Sequence, residues 1–278
     1  MTRFPTIPKP VDDLGPASWV ARELTGFGAI VRNLVPHRSF ERFARILHRP
    51  DHGQPDQLSP PSWAAVAARN DTQVHPQCEF AAIARTELRD HTRGDEPLEG
   101  TLDQMTLPIL RDILTSHTST PNACWCALWD GYGHQPSAWR QSPTFHLPGR
   151  DYWLFAEPLA RVVELSLDFE HAGIAEAAAG GRLAMTSLTD SDAGGDVIDQ
   201  TRLAARLRAS GAVQSPNLWW PADRRWFVAS EIDLDSTIVA GGADLVAGLL
   251  DTATLEVVEV HPDTSLLDGS DWLNRPER

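Results

Sequence analysis

The stretch that decides the fold is residues 215–242, SPNLWWPADRRWFVASEIDLDSTIVAGG. It holds three of the ten tryptophans, Trp219, Trp220 and Trp226, beside the pair Arg224 and Arg225. Pro221-Ala222-Asp223-Arg224 has the composition of a β-turn, with proline presetting one backbone angle and aspartate able to bond its own backbone. A strand-like run follows, with Glu231, Asp233 and Asp235 at alternate positions. Side chains alternate faces along a strand, so the three carboxylates are expected on one face. Burying them without partners is costly, so that face is expected to meet water or a basic partner. On a straight strand the three spread over roughly 13 Å at ~3.3 Å per residue, too far for one hard cation to collect.

On the N-terminal side of this tract, ACWCALW (123–129) and RDYWLF (150–155) read as strands, and on its C-terminal side residues 255–260 read as a final one. Residues 101–117 show the clearest helical spacing, with Leu102, Met105, Ile109, Ile113 and Leu114 on one stripe and Pro108 expected to kink or divide it. Ser62 is placed to cap WAAVAAR, and residues 78–88, 201–210 and 243–250 also suit helices. A short helix is expected to open at Glu157 or Pro158 and run to Leu165, with a loop over 175–195. AIVRNLV (29–35) is β-like, while residues 39–48 fit either a helix or a strand.

Strands and helices do not alternate regularly. This order favours an α+β fold, a mixed or antiparallel sheet with helices packed on one side. Residues 1–16 are Pro-rich and read as an extended arm, 17–95 as an N-terminal half and 101–278 as a C-terminal half, packed together as one compact unit.

Composition bounds the function. The 278 residues carry a net charge of −14, which repels nucleic acid and anionic membranes and permits a basic protein partner. No run approaches the ~18 apolar residues of a membrane span, and the N-terminus lacks a signal-peptide core, so a cytoplasmic protein is expected. Among 24 basic residues only Lys9 is lysine, a bias typical of a high-GC bacterial genome.

The chemistry-bearing clusters are few. Cys124 and Cys126 would point to one side of their strand, a weak metal signal because zinc sites space cysteines more widely and need four ligands. With Cys78 they read as buried free thiols, and neither metal nor cofactor is expected. Asp130-Gly131-Tyr132-Gly133 reads as a strand-ending turn that could aim Tyr132 and His134 at a cleft. His37, Arg38, Arg42, Arg45, His48, His52 and His75 read as scattered surface groups. No nucleophile elbow, phosphate loop, dinucleotide fingerprint, metalloprotease helix or kinase signature is present.

Three segments carry a resemblance: 26–36 with 40–48, CWCALWDGYG (124–133), and SPNLWWP with residues 223–237. Together they resemble a family of uncharacterised cytoplasmic proteins of high-GC actinobacteria, a likeness that implies no activity or catalytic residue. The Trp-Pro-x-Asp-x-x-Trp segment is also similar to bacterial toxin-immunity proteins of the SUKH type, which implies an acidic α+β binding protein. The expected function is therefore protein binding, with Trp219, Trp220, Arg224, Arg225, Glu231, Asp233 and Asp235 as the contact surface. The alternative is an enzyme with a cleft lined by Tyr132, His134, Asp223, Arg224 and Glu231.

Overall fold

A computed structural model describes residues 7–50, 62–85, 96–132, 135–179 and 214–275. Expectations placed on residues 1–6, on His52 and the rest of 51–61, on 86–95, on Gly133 and His134, and on 180–213 with its helix at 201–210 lie outside the described residues.

The described strands are β1 (Arg42–Leu47), β2 (Cys124–Trp129), β3 (Thr144–Leu147), β4 (Arg150–Glu157), β5 (Leu218–Pro221), β6 (Phe227–Ser230), β7 (Ser236–Gly241) and β8 (Val257–Val260). The helices are α1 (Ser18–Glu23), α2 (Val31–Leu34), α3 (Trp63–Asn70), α4 (Phe80–Ala84), α5 (Thr106–Ser116), α6 (Val162–Ala179) and α7 (Ala243–Leu250). All eight strands join one sheet in the order β3-β4-β2-β5-β6-β7-β1-β8, and every pairing is antiparallel. The fold is α+β, as its irregular element order implies.

The opening tract supplies the centre of this sheet. β5, β6 and β7 form a meander, with Trp219 opposite Cys126 on one side and Val228 on the other. β1 inserts between β7 and β8, so a strand from the first fifty residues completes a sheet built mostly from the C-terminal part. Residues 42–47, which fit either element by pattern, thus become a strand.

Helices cover both faces of the sheet, not one. Cys124, Cys126, Trp153, Phe155, Trp219, Val228 and Val239 face α5, α6 and α7. Their neighbours in sequence, among them Ala127, Leu154, Trp220, Phe227, Ile238 and Ala240, face α1 and α2. The physical reason lies in the strands, which are apolar on both sides; a sheet wetted on one face would alternate apolar and polar. A smaller cluster around Trp63, Cys78, Phe80 and Ile83 packs α3 and α4 on Leu47 at the end of β1. Each fully buried large side chain in these layers stabilises the fold by about 1.5–3 kcal/mol.

Several local expectations change. Residues 31–34 form α2 and not a strand, because the Val31 and Arg32 N–H groups donate to the Thr264 and Pro262 carbonyls at 3.1 and 2.8 Å. Only Ile30 bridges to Ser265 in β fashion. α5 starts at Thr106, where the Asp103 carboxylate accepts from the Met105 and Thr106 N–H groups. Pro108 then falls in the first turn, where its missing N–H costs nothing, and neither kinks nor divides the helix. Helix α6 runs beyond Leu165 to Ala179, so the start of the expected loop at 175 belongs to it. Ser62 caps α3 as expected, accepting from the Ala65 N–H at 3.0 Å. Among the described residues no helix is long and apolar enough to cross a membrane.

Candidate functional site

Antiparallel order brings five chain segments to one end of the sheet. β5 leaves through the turn at Ala222–Arg225, β7 ends at Gly241, β1 begins at Arg42, and residues 116–119 lead from α5 towards β2. With the first turn of α7 they line an open cleft of about 730 Å³.

The turn forms as the sequence suggests, with the Arg224 N–H donating to the Pro221 carbonyl at 2.9 Å. Arg224 has φ of +54°, a left-handed conformation that a side-chain-bearing residue adopts at a cost of about 1–2 kcal/mol. Its guanidinium lies over Trp19 of α1, 5.0 Å from the ring centroid, a placement that attracts a cation to the aromatic face. Asp223 is saturated. One oxygen accepts from the Ser119 N–H and hydroxyl at 2.7 and 2.8 Å, the other from the Thr118 hydroxyl at 2.9 Å. Burial alone would raise its pKa, but these bonds hold the carboxyl below the usual range. Asp223 therefore clamps the 116–119 loop to the turn.

Across the cleft, Glu41 accepts from the Ala243 N–H and Asp244 lies in the first turn of α7, where the helix dipole favours carboxylates. The Leu245 N–H and His117 lower the Asp244 pKa, and His117 Nδ1 lies 3.3 Å from its carboxylate. The acidic groups of the cleft are thus engaged. The side chains of Arg224 and Arg225 are exposed and have no carboxylate partner among the described residues.

The other expected contact residues are placed differently. Trp219 and Trp220 are 0% and 1% exposed, on opposite faces of the sheet, and cannot touch a partner. Trp219 packs edge-on to Trp226, and Trp220 stacks on Phe227. Glu231, Asp233 and Asp235 do not share a strand face. β6 stops at Ser230, and residues 231–235 form a turn closed by the Leu234 N–H on the Glu231 carbonyl. Glu231 and Asp233 both bind Arg150, at 2.5 and 2.9 Å. Asp235 pairs with Arg45 at 3.2 Å. All three carboxylates already have cationic partners inside the molecule.

The expected enzyme cleft does not assemble either. The Tyr132 hydroxyl accepts from Asn217 and Gln214, and Glu231 lies at the same end of the sheet, beyond β6. Asp223 and Arg224 lie beyond the other end of β5, about 13 Å of strand away at ~3.3 Å per residue.

The cysteines behave as buried apolar groups. Cys124 and Cys126 share a face, and burial pushes Cys124 up to about 12 and Cys126 well above its ordinary value. Among the described residues no group of three or more His, Cys, Asp or Glu could hold a metal.

Two residues expected on the surface are buried instead, Arg45 and His48. Arg45 donates to Ser236, to the Pro76 and Cys78 carbonyls and to Asp235. His75, for its part, binds the buried Asp271 at 2.8 Å. Sequence reasoning missed the clamp at Arg150, whose guanidinium is stacked between Phe27 and Trp129. It also missed the meeting of His117 with Asp244, 127 positions apart (244 minus 117), for which no local spacing gives a signal.

Compared with family models, curated proteins and solved structures, the chain matches none.

Proposed function

We propose that this protein works by binding, and that its cleft takes a carboxylate-bearing segment of a partner protein on Arg224 and Arg225. One observation carries this reading. Arg224 and Arg225 are the arginines that line the cleft, side by side, and among the described residues neither guanidinium holds a carboxylate of this chain. A guanidinium fork matches a carboxylate in two parallel hydrogen bonds. Stacking on Trp19 orients Arg224 before any ligand arrives, which reduces the ordering cost of binding. The acidic turn is a weaker contact surface for the basic partner expected from the net charge, because Glu231 and Asp233 share Arg150 and Asp235 pairs with Arg45. Under the likeness to SUKH-type immunity proteins, a toxin is one version of the partner.

The test uses an acetylated hexaglutamate peptide as probe, with backbone amide shifts as the readout. Saturable shifts are expected at Ser119, Arg224, Arg225 and Gly242. Arg224→Ser/Arg225→Ser should weaken binding at least ~10-fold, or ~1.4 kcal/mol. Equal affinity in the variant, or shifts centred away from the cleft, would remove the proposal.

A further inference from the structure

At the opposite end of the sheet a buried polar chain crosses the fold. His48 follows β1 and is 1% exposed. Its Nδ1 lies 2.5 Å from the Leu98 carbonyl, and its Nε2 lies 2.8 Å from the Thr237 hydroxyl. The Thr237 hydroxyl lies 2.6 Å from that of Ser230, and both residues are fully buried.

These contacts dictate where the hydrogens sit. A carbonyl only accepts, so Nδ1 carries the proton and donates to Leu98. Nε2 of the neutral ring is then an acceptor, and Thr237 donates to it. Ser230 must in turn donate to Thr237. The chain has one direction, from Ser230 through Thr237 and His48 to Leu98.

Segment 96–100, held by that last bond, lies against the turn between β6 and β7. The Gly100 N–H donates to the Leu234 carbonyl at 3.0 Å. The same turn carries Glu231 and Asp233, which grip Arg150. His48 also ties this region together through its backbone, accepting from Trp63 Nε1 at 2.8 Å and donating to the Asp235 carbonyl at 3.0 Å.

We propose that His48 is an acid-sensitive latch, which as a neutral ring holds segment 96–100 against the β6–β7 turn and releases it on gaining a second proton. A protonated ring donates from both nitrogens. Thr237 would have to turn its hydrogen towards Ser230, and Ser230 would be left with a buried donor and no acceptor among the described residues. Opening the segment to water relieves that conflict, at a cost that includes the Leu98 and Gly100 bonds.

The charges around the ring set the balance. Burial is the largest influence and lowers the His48 pKa from its ordinary value. The Leu98 carbonyl, Asp235 on the β6–β7 turn and Asp103 ahead of α5 favour the proton, while Arg45 on β1 opposes it. Burial prevails, so the closed form refuses a proton that the opened form accepts near pH ~6.5. Stability therefore rises with pH, and the latch weakens progressively as pH falls below about 6.5. The cleft reading above is independent of this latch.

Hydrogen exchange tests the latch. After correction for intrinsic rates, protection of the Gly100 amide should fall at least ~10-fold between pH 7 and pH 5, while β2 amides keep theirs. His48→Gln can donate to Leu98 and accept from Thr237 without titrating, so its Gly100 protection should be independent of pH. Where that variant does not fold, the wild-type His48 Hε1 resonance serves instead: its titration midpoint should fall where Gly100 protection is finally lost, below the pH at which protection begins to drop. Unchanged protection in wild type, equal loss across β2, the same loss in His48→Gln, or a His48 titration separate from Gly100 opening would each overturn the proposal.

Discussion

Replacing Arg45 by methionine isolates a buried charge committed to four partners. The Arg45 side chain is 3% exposed, and its guanidinium reaches Ser236 at 2.8 Å, the Cys78 and Pro76 carbonyls at 2.9 and 3.1 Å, and Asp235 at 3.2 Å. Methionine keeps the aliphatic stem and removes the donors, together with the guanidinium's placement over Trp63, 5.9 Å from the ring centroid. Breaking a buried ion pair from one side costs about 3–5 kcal/mol, because the remaining charge is stranded. Asp235 retains 23% of its side-chain surface in contact with water, and that partial hydration reduces its share. The expected loss is therefore about 3 kcal/mol. With a urea slope of about 3 kcal/mol per M for a chain of this size, the unfolding midpoint should fall by about 1 M. The companion variant Arg45→Met/Asp235→Asn removes the stranded charge and should recover about 1 kcal/mol. A midpoint change under ~0.3 M, or a double variant no more stable than the single one, would refute this account of β1 and its neighbours.

Two further outcomes follow from burial and backbone geometry. The thiolate is the reactive form of cysteine. Because burial pushes Cys124 up to about 12 and raises Cys78 and Cys126 as well, iodoacetamide at pH 8 should leave the folded protein unlabelled and modify all three in concentrated urea; an adduct on native protein at the denatured rate, read by mass spectrometry, would contradict the packing. Gly100→Ala should lower Tm by about 4–8 °C, from about 2 kcal/mol of strain, because Gly100 has φ of +71° and a Cβ there would sit 2.7 Å from the Ile232 Cα. Gly28→Ala, with φ of +102° but open space around it, should cost less, and equal losses at the two positions would show that the Ile232 contact is not the cause.

Local signals were read well where short-range chemistry decides. The Ser62 cap, the Pro221–Arg224 turn, and the strands at 124–129 and 150–157 follow from hydroxyl, proline and apolar-run patterns. The two-sided covering of the sheet was also legible and was misread. ACWCALW, RDYWLF and LWW have no polar alternation, which is the mark of strands buried on both faces. At 231–235 the alternation of acids imitated a strand. The tight connection from β6 back to β7 needs a turn there, and the acids alternate only because turn residues are polar. Across 29–35 the β-branched Ile30, Val31 and Val35 suggested a strand, but the carbonyls of Pro262 and Thr264 capture the first N–H groups of a helical turn at 31–34. Tertiary context overrides weak intrinsic propensity in such short segments.

The candidate cleft was only partly legible. Arg224 and Arg225 stand out in sequence, and they remain the exposed pair on its rim. Trp219 and Trp220 stand out equally and are core, because adjacent strand residues point into the two apolar layers. By itself the sequence determined the secondary elements that depend on neighbours within a few residues, the α+β class, and the turn that displays the arginine pair. The tertiary structure alone decided which charges are spent. Arg45 meets Asp235, Arg150 meets Glu231 and Asp233, and His117 meets Asp244 across 81 to 190 positions of chain. Antiparallel pairing brings such distant ends together, and whether a charged group can bind anything further depends on whether that pairing has already given it a partner.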